Sequence, residues 1–287
     1  MSDQPEGFIR TAEDGAVLVL RADVAATLRA AGLSDPTSVR SQALRTFVGR
    51  GEPFALSVAG VGDVFVRPYV HGGLLAPLTG DRFSGDGRFA AEVAVLAACA
   101  AAGVPVPEVL GYVSRSVSRA VGLGLRKGWL LTREVPGAVD LLAYLADAAP
   151  SERQGVLRTA GQACRALHDE GVEHPDLHWK NLLVAAPDRV LVLDLDGARA
   201  HAEPLDQESR RRALLRCDRY AAKQAARGHR LTRTDRLRFL RAYAGADWPD
   251  RAEVRRWATD LARHIGRHQT SLSAKAAPLP ESAGADA

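Results

Sequence analysis

The stretch His174-Pro175-Asp176-Leu177-His178-Trp179-Lys180-Asn181 limits what this chain can become more than any other. It is followed by Arg189-Val190-Leu191-Val192-Leu193-Asp194-Leu195-Asp196-Gly197. An Asp and an Asn stand five residues apart, and an apolar strand then delivers a further Asp. Asp and Asn also cap and turn ordinary loops, and Asp196-Gly197 alone is a plain turn signal. Asp194 fits that reading poorly. It ends an aliphatic run, where a carboxylate is costly unless a cation or donors meet it.

Phosphoryl transfer needs this set of groups. One carboxylate orients the attacking hydroxyl and accepts its proton, while an amide oxygen and a second carboxylate hold metal ions on the nucleotide phosphates. The spacing matches the kinase catalytic loop H-R-D-x-x-x-x-N, with Asp194-Leu195-Asp196 in the place of D-F-G. Asp176 is therefore the candidate base, and Asn181 and Asp194 are the candidate Mg²⁺ ligands. His174 is expected to brace the loop by hydrogen bonding. Lys180 either neutralises transferred phosphate or is a solvated surface lysine.

At 287 residues, 46% hydrophobic and 25% charged, the chain has the make-up of a soluble globule of one two-lobed domain or two small ones. Cys99, Cys164 and Cys217 are far apart and lack metal-ligand spacing, which suggests reduced core thiols. No apolar run is long enough to span a membrane, and the first residues have no leader pattern, so a cytoplasmic location is expected. Between Arg210 and Arg241, twelve Arg or Lys face two Asp, in a chain of net charge +4. Such a block is either a solvated helix face or a surface for an anionic partner such as a membrane. No nucleic-acid motif accompanies it.

Taken in order, residues Ala16 to Leu20 read as a strand and Asp23 to Ala31 as a short helix. Gly49-Arg50-Gly51 lies between two apolar segments, either a plain hairpin or a turn whose backbone approaches phosphates. Another strand ends on Arg67. A helix follows from Arg88 to Ala102, with Glu92 its only acid, either exposed or paired. Arg67 is the natural partner. Strands over Val109–Val113 and Trp129–Thr132 precede Arg133-Glu134-Val135-Pro136-Gly137, which reads as a hinge whose backbone would meet an adenine edge. Residues 140–146 and 152–170 read as helices, as does most of the Arg-rich chain from Asp196 to about His268.

With these residues in place, the chain resembles the 3-deoxy-D-manno-octulosonic acid (Kdo) kinase branch of the lipopolysaccharide kinase family. The likeness rests on Gly49-Arg50-Gly51, Val66-Arg67-Pro68-Tyr69 running into His71-Gly72-Gly73-Leu74, and Asp81-Arg82-Phe83. It continues through Phe89-x-x-Glu92, Gly103-Val104-Pro105-Val106-Pro107, Thr132-Arg133-Glu134, Leu167-His168-Asp169, the Asp176–Asn181 loop and Leu193-Asp194-Leu195-Asp196. It covers roughly residues 45–245. The resemblance implies an α+β, two-lobed, protein-kinase-like fold. An antiparallel sheet with one helix is expected over residues 1–134 and a mainly helical half over 135–270, before a disordered tail at 271–287. It implies ATP-dependent phosphorylation of a sugar hydroxyl on the lipopolysaccharide inner core, at the cytoplasmic face of the inner membrane. It also implies that Arg67 replaces the usual strand lysine.

On that footing Gly49, Arg50, Gly51, Arg67, Glu92, Glu134 and Lys180 are expected around ATP, with Mg²⁺ on Asn181 and Asp194. Two alternatives remain at this point. One is a kinase of the same fold acting on another small molecule or on protein Ser/Thr, although no A-P-E motif follows Asp196. The other is a non-catalytic nucleotide- or lipid-binding scaffold, which would not need Asp176.

Overall fold

A computed structural model describes residues 4–71, 80–117, 124–186, 188–225, 231–245 and 259. The expected Gly72-Gly73-Leu74 segment, most of the loop before Gly124, and the tail at 271–287 lie outside these residues.

The first half is an antiparallel sheet. Its strands are β1 (Phe8–Glu13), β2 (Ala16–Arg21), β3 (Arg45–Thr46), β4 (Phe54–Val58), β5 (Gly62–Pro68), β6 (Phe83–Ser84), β7 (Val109–Ser116) and β8 (Leu125–Arg133). They lie in the order β1-β2-β7-β8-β5-β4-β3, with β6 also on β8. β2 is the continuous aliphatic run of the sequence because it lies between two strands with Ala16 to Leu20 all buried. β1 was not anticipated. It is a mostly exposed edge strand, so little apolar periodicity marks it.

Side-chain alternation divides the sheet into two faces. On one face Val64, Val66, Trp129 and Leu131 join Leu18, Leu20, Phe54 and the Leu28 of helix α1 (Ala25–Ala30) in a core. On the other, Phe65 and Arg67 of β5 stand opposite Thr132 and Leu130 of β8. The second face supplies one wall of the cleft described below.

Helix α2 (Gly87–Ala101) packs on β7 and β8 through Phe89, Val93, Leu96 and Cys99, a stripe at helical spacing that also carries Glu92. It stops at Gly103, whose φ of +78° suits a residue without Cβ. Gly103 N–H donates to Ala100 O and Val104 N–H to Cys99 O, which satisfies the last carbonyls of the helix.

After Gly137 the architecture changes. Two short strands, β9 (Val139–Asp140) and β10 (Val172–Glu173), frame helices α3 (Leu141–Asp147) and α4 (Pro150–Asp169). Asp140 caps α3 by accepting from Ala143 N–H at 3.0 Å. Strands β11 (Leu182–Ala186) and β12 (Arg189–Val192) form a hairpin, and β11 also pairs with β9. Beyond Asp196 the chain is not immediately helical: β13 (Arg199–Ala200) pairs with β10 before α5 (Gln207–Ala225) and α6 (Arg233–Ala244). α4 and α6 cross closely at Gly161, where a Cβ would lie 2.4 Å from Phe239 O. A single core runs from α2 through α3, α4, β11, β12 and α6.

Candidate active site

A cleft of about 600 Å³ lies between the sheet face and the β11–β12 hairpin. Phe65, Arg67, Leu130 and Thr132 line it from the sheet, Glu92 and Leu96 from α2, Glu134, Val135, Gly137 and Val139 from the hinge, and Asn181, Leu183, Leu193 and Asp194 from the opposite side. Apolar walls with a few convergent charges are the usual make-up of a small-molecule site.

Arg67 joins the two sides. Its Nη2 lies 2.6 and 2.8 Å from the two Glu92 oxygens, and its Nη1 lies 3.1 Å from Asp194 Oδ1. Glu92 is buried, so it is the paired acid and not the exposed one. Burial pushes the Glu92 carboxyl above the ordinary carboxylate range, against the pull of Arg67. Burial also opposes the charge on Arg67, but Glu92, Asp194 and Asp196 outweigh it and hold the guanidinium above its usual range. Arg67 therefore keeps its charge beside Glu92 and Asp194.

Hydrogen bonds hold the loop from Asp176 to Asn181. His174 is buried; its Nδ1 accepts from Asp176 N–H at 3.1 Å, so its Nε2–H is the donor to Leu193 O at 2.9 Å. Burial holds His174 below the usual histidine range, in keeping with a neutral brace. Asn181 Nδ2 donates to Asp176 O at 2.9 Å, which leaves its Oδ1 as the acceptor. Leu193 N–H donates to Asn181 O at 2.8 Å, and this bond sets Asn181 beside Asp194. Asp194 itself has φ +60°, a left-handed conformation uncommon for a residue with a Cβ and frequent where function fixes the backbone. Helix α5 supports the loop as well: Tyr220 stacks on His178 with centroids 4.0 Å apart, and Arg216 donates to His174 O at 2.8 Å.

Mg²⁺ usually takes one or two protein oxygens, its remaining positions going to water and phosphates. The Asp194 carboxylate and the free Asn181 Oδ1 on one cleft fit that donor set. Among the described residues no group of three or more His, Cys, Asp or Glu could hold a metal without such help.

The other expected residues are placed as follows. Asp176 is 68% exposed, its Oδ2 3.5 Å from His178 Nε2. Asp176 and Lys180 are exposed and do not line the cleft. Glu134 lines it at the hinge, 6% exposed, with Arg45 Nη2 2.9 Å from its Oε2. Gly49, Arg50 and Gly51 are exposed and stand away from the cleft wall, to which Phe47 and Arg45 contribute instead. Phe65 and Leu130 were missed, although alternation from Arg67 along β5 pointed to Phe65. Arg45 gave no sequence signal.

An antiparallel sheet with helix α2 on its cleft face, a hinge, and a cleft lined on the opposite side by Asn181 and the strand-end Asp194 make up a protein-kinase-like fold. The family model "Lipopolysaccharide kinase (Kdo/WaaP) family" matches residues 39–243, and the chain belongs to that family. It is 33% identical over 139 residues to the 3-deoxy-D-manno-octulosonic acid kinase of Vibrio parahaemolyticus, covering 47% of this chain and 55% of that one. The like-named enzyme of Vibrio cholerae is 32% identical over 136 residues, covering 46% and 54%. The chain thus spans about half the length of the curated relatives it matches. A solved structure, WaaP in complex with acyl carrier protein, matches 85% of this chain and 95% of its own, with TM-score 0.53 and 20% identity, and so shares the fold.

Proposed function

We propose that this protein is an ATP-dependent kinase that phosphorylates a sugar hydroxyl on the Kdo of the lipopolysaccharide inner core. The observation that carries this reading is the convergence of Arg67, Glu92, Asn181 and Asp194 on one cleft beside the Asp176 loop. It agrees with the family and with the names of the relatives. The adenine would lie against the hinge after Arg133, between Leu130 and Leu183, with the phosphates toward Arg67. The proposed division of the two halves falls there, at Glu134–Val135.

Asp176 orients the acceptor hydroxyl and takes its proton. Its exposure suits this role, because the acceptor is large and must reach the carboxylate from outside the cleft. Asn181 and Asp194 would hold Mg²⁺, which would supply charge neutralisation for the nucleotide phosphates. Arg67, oriented by Glu92, contacts the phosphates; the Gly49–Gly51 turn, expected to cover them, stands away from the cleft wall. Lys180, next to Asn181, meets the transferred phosphoryl group. Positioning and electrostatics supply the acceleration.

We place the protein at the cytoplasmic side of the inner membrane, as a peripheral enzyme. No described helix is long and apolar enough to cross a membrane. The Arg210–Arg241 block is narrower than its count suggests. Among the described residues of the block, Arg210 binds Asp169, Arg236 binds Asp218 and Arg216 holds the loop, while Arg212, Arg233 and Arg241 are exposed cations that can face an anionic surface. Incubation with γ-³²P-ATP, Mg²⁺ and a Kdo-containing lipid A precursor tests the function. Label on the Kdo sugar is expected; ATP turnover without label on that lipid would rule out this acceptor.

A further inference from the structure

Two charged contacts fasten the Asp194–Asp196 turn to the sheet half, and the function above uses only one. The second joins Asp196 to Arg88 in the first turn of α2. Arg88 Nε lies 2.7 Å from Asp196 Oδ1 and Nη2 lies 2.5 Å from Oδ2, a two-pronged fork. The guanidinium also stands 5.0 Å from the Phe83 ring centroid. Arg88 and Glu92 are four residues apart and so share a face of α2. That face therefore holds two elements of an alternating series: Asp196, Arg88, Glu92, Arg67, Asp194. Asp196 is only 16% exposed and does not line the cleft.

We propose that Asp196 and Arg88 are positioning residues. Their clasp holds α2 against the metal-facing turn, and through α2 it fixes Glu92 and thereby Arg67 over the phosphates. The inference deepens the kinase reading and rests on it. A fork fixes orientation as well as distance, which a single charge contact does not. The route of the chain gives it a purpose. In kinases with a long activation segment, that segment governs where the corresponding helix sits. Here Asp196 is followed by Gly197, the short β13 and then α5 at Gln207. The clasp sits in the turn itself and makes the helix position a built-in property.

The test compares Asp196→Asn, Arg88→Lys and the swap Arg88→Asp/Asp196→Arg, each with and without Glu92→Gln. Two quantities are read: amide hydrogen exchange across Phe89–Leu96, and kcat and KM for ATP. Asp196→Asn should speed exchange in that segment about tenfold with little change in melting temperature. It should raise KM for ATP several-fold, and add little once Glu92→Gln has already released Arg67. Arg88→Lys keeps the charge but not the fork, and should show the same defect more weakly; it carries the test if Asp196→Asn folds poorly. The swap should recover part of both readouts.

Unchanged exchange in α2, or fully additive effects of Asp196→Asn and Glu92→Gln, would overturn the proposal. Additivity would mean that Asp196 acts directly on metal or phosphate. If the wild-type protein transfers no phosphoryl group to any sugar, the functional reading fails, and the exchange measurement still decides whether the clasp holds the helix.

Discussion

Arg67 stands where a lysine would serve if only a positive charge were needed. It instead gives Nη2 to both Glu92 oxygens and Nη1 to Asp194, three contacts that a single ammonium cannot reproduce in that geometry. Arg67→Lys is therefore expected to raise KM for ATP and lower kcat although charge is kept. Glu92→Gln should do likewise, and the double variant should be less impaired than the sum of the two. A double-mutant cycle on kcat/KM for ATP checks this, and additive, near-silent variants would contradict it. His168 makes a second residue-scale prediction. It is buried with Nδ1 2.7 Å from Tyr243 Oη. Burial, aided by Arg210 and by His174, depresses its pKa from 6.5 to about 3. The unfolded chain then binds a proton below pH 6.5 that the folded chain refuses until about pH 3. Stability from this group is complete above pH 6.5 and is lost as pH falls toward 3, at roughly 1.4 kcal/mol per unit. Urea unfolding at pH 7 and pH 5 should show the fall, and His168→Gln should flatten it; an equal slope in the variant would show that the acid sensitivity lies elsewhere.

Helices α4 and α6 pack where Gly161 lets two backbones meet. A Cβ there would sit 2.4 Å from Phe239 O and 2.9 Å from Tyr243 N. Overpacking of this kind costs ~1–3 kcal/mol, and the better helix propensity of alanine returns about 1. Gly161→Ala should therefore lose up to about 2 kcal/mol by urea denaturation, and a stabilised variant would show that the helices separate freely. Elements also show what the sequence discloses. Helix α2 was legible because its apolar stripe is regular and a lone acid among alanines demands a partner. The Asp176–Asn181 loop was legible because its spacing is local. β1 and β13 were not, one being a mostly exposed edge strand and the other two residues long. Arg45 with Glu134 and Arg88 with Asp196 were not, because each pair is distant in sequence and only the closed fold brings it together. The glycine turn was legible as a turn, but its relation to the cleft depends on strand direction, which put Phe47 on the wall and the glycines away from it.

Across the described residues, arginine–carboxylate pairs join the helices to one another. Arg153 with Asp235, Arg210 with Asp169 and Arg236 with Asp218 tie α4, α5 and α6 together. The exposed Arg212, Arg233 and Arg241 face solvent, so binding to anionic vesicles should fall steeply with salt. Surface charge is screened beyond about 8–10 Å at physiological ionic strength. Co-sedimentation with acidic and neutral vesicles over a salt series tests this, and equal binding to both would leave the block as a solvated face. The central claim is that the cleft binds nucleotide while Asp176, outside its wall, serves the acceptor. Single-turnover phosphoryl transfer to the Kdo-containing lipid, measured beside a nucleotide titration for the wild type and Asp176→Ala, addresses it most directly. The chemical step is expected to be slower by at least ~10²-fold in the variant, the scale of a positioned general base, with nucleotide affinity nearly unchanged. Turnover within a factor of about three of wild type would contradict it.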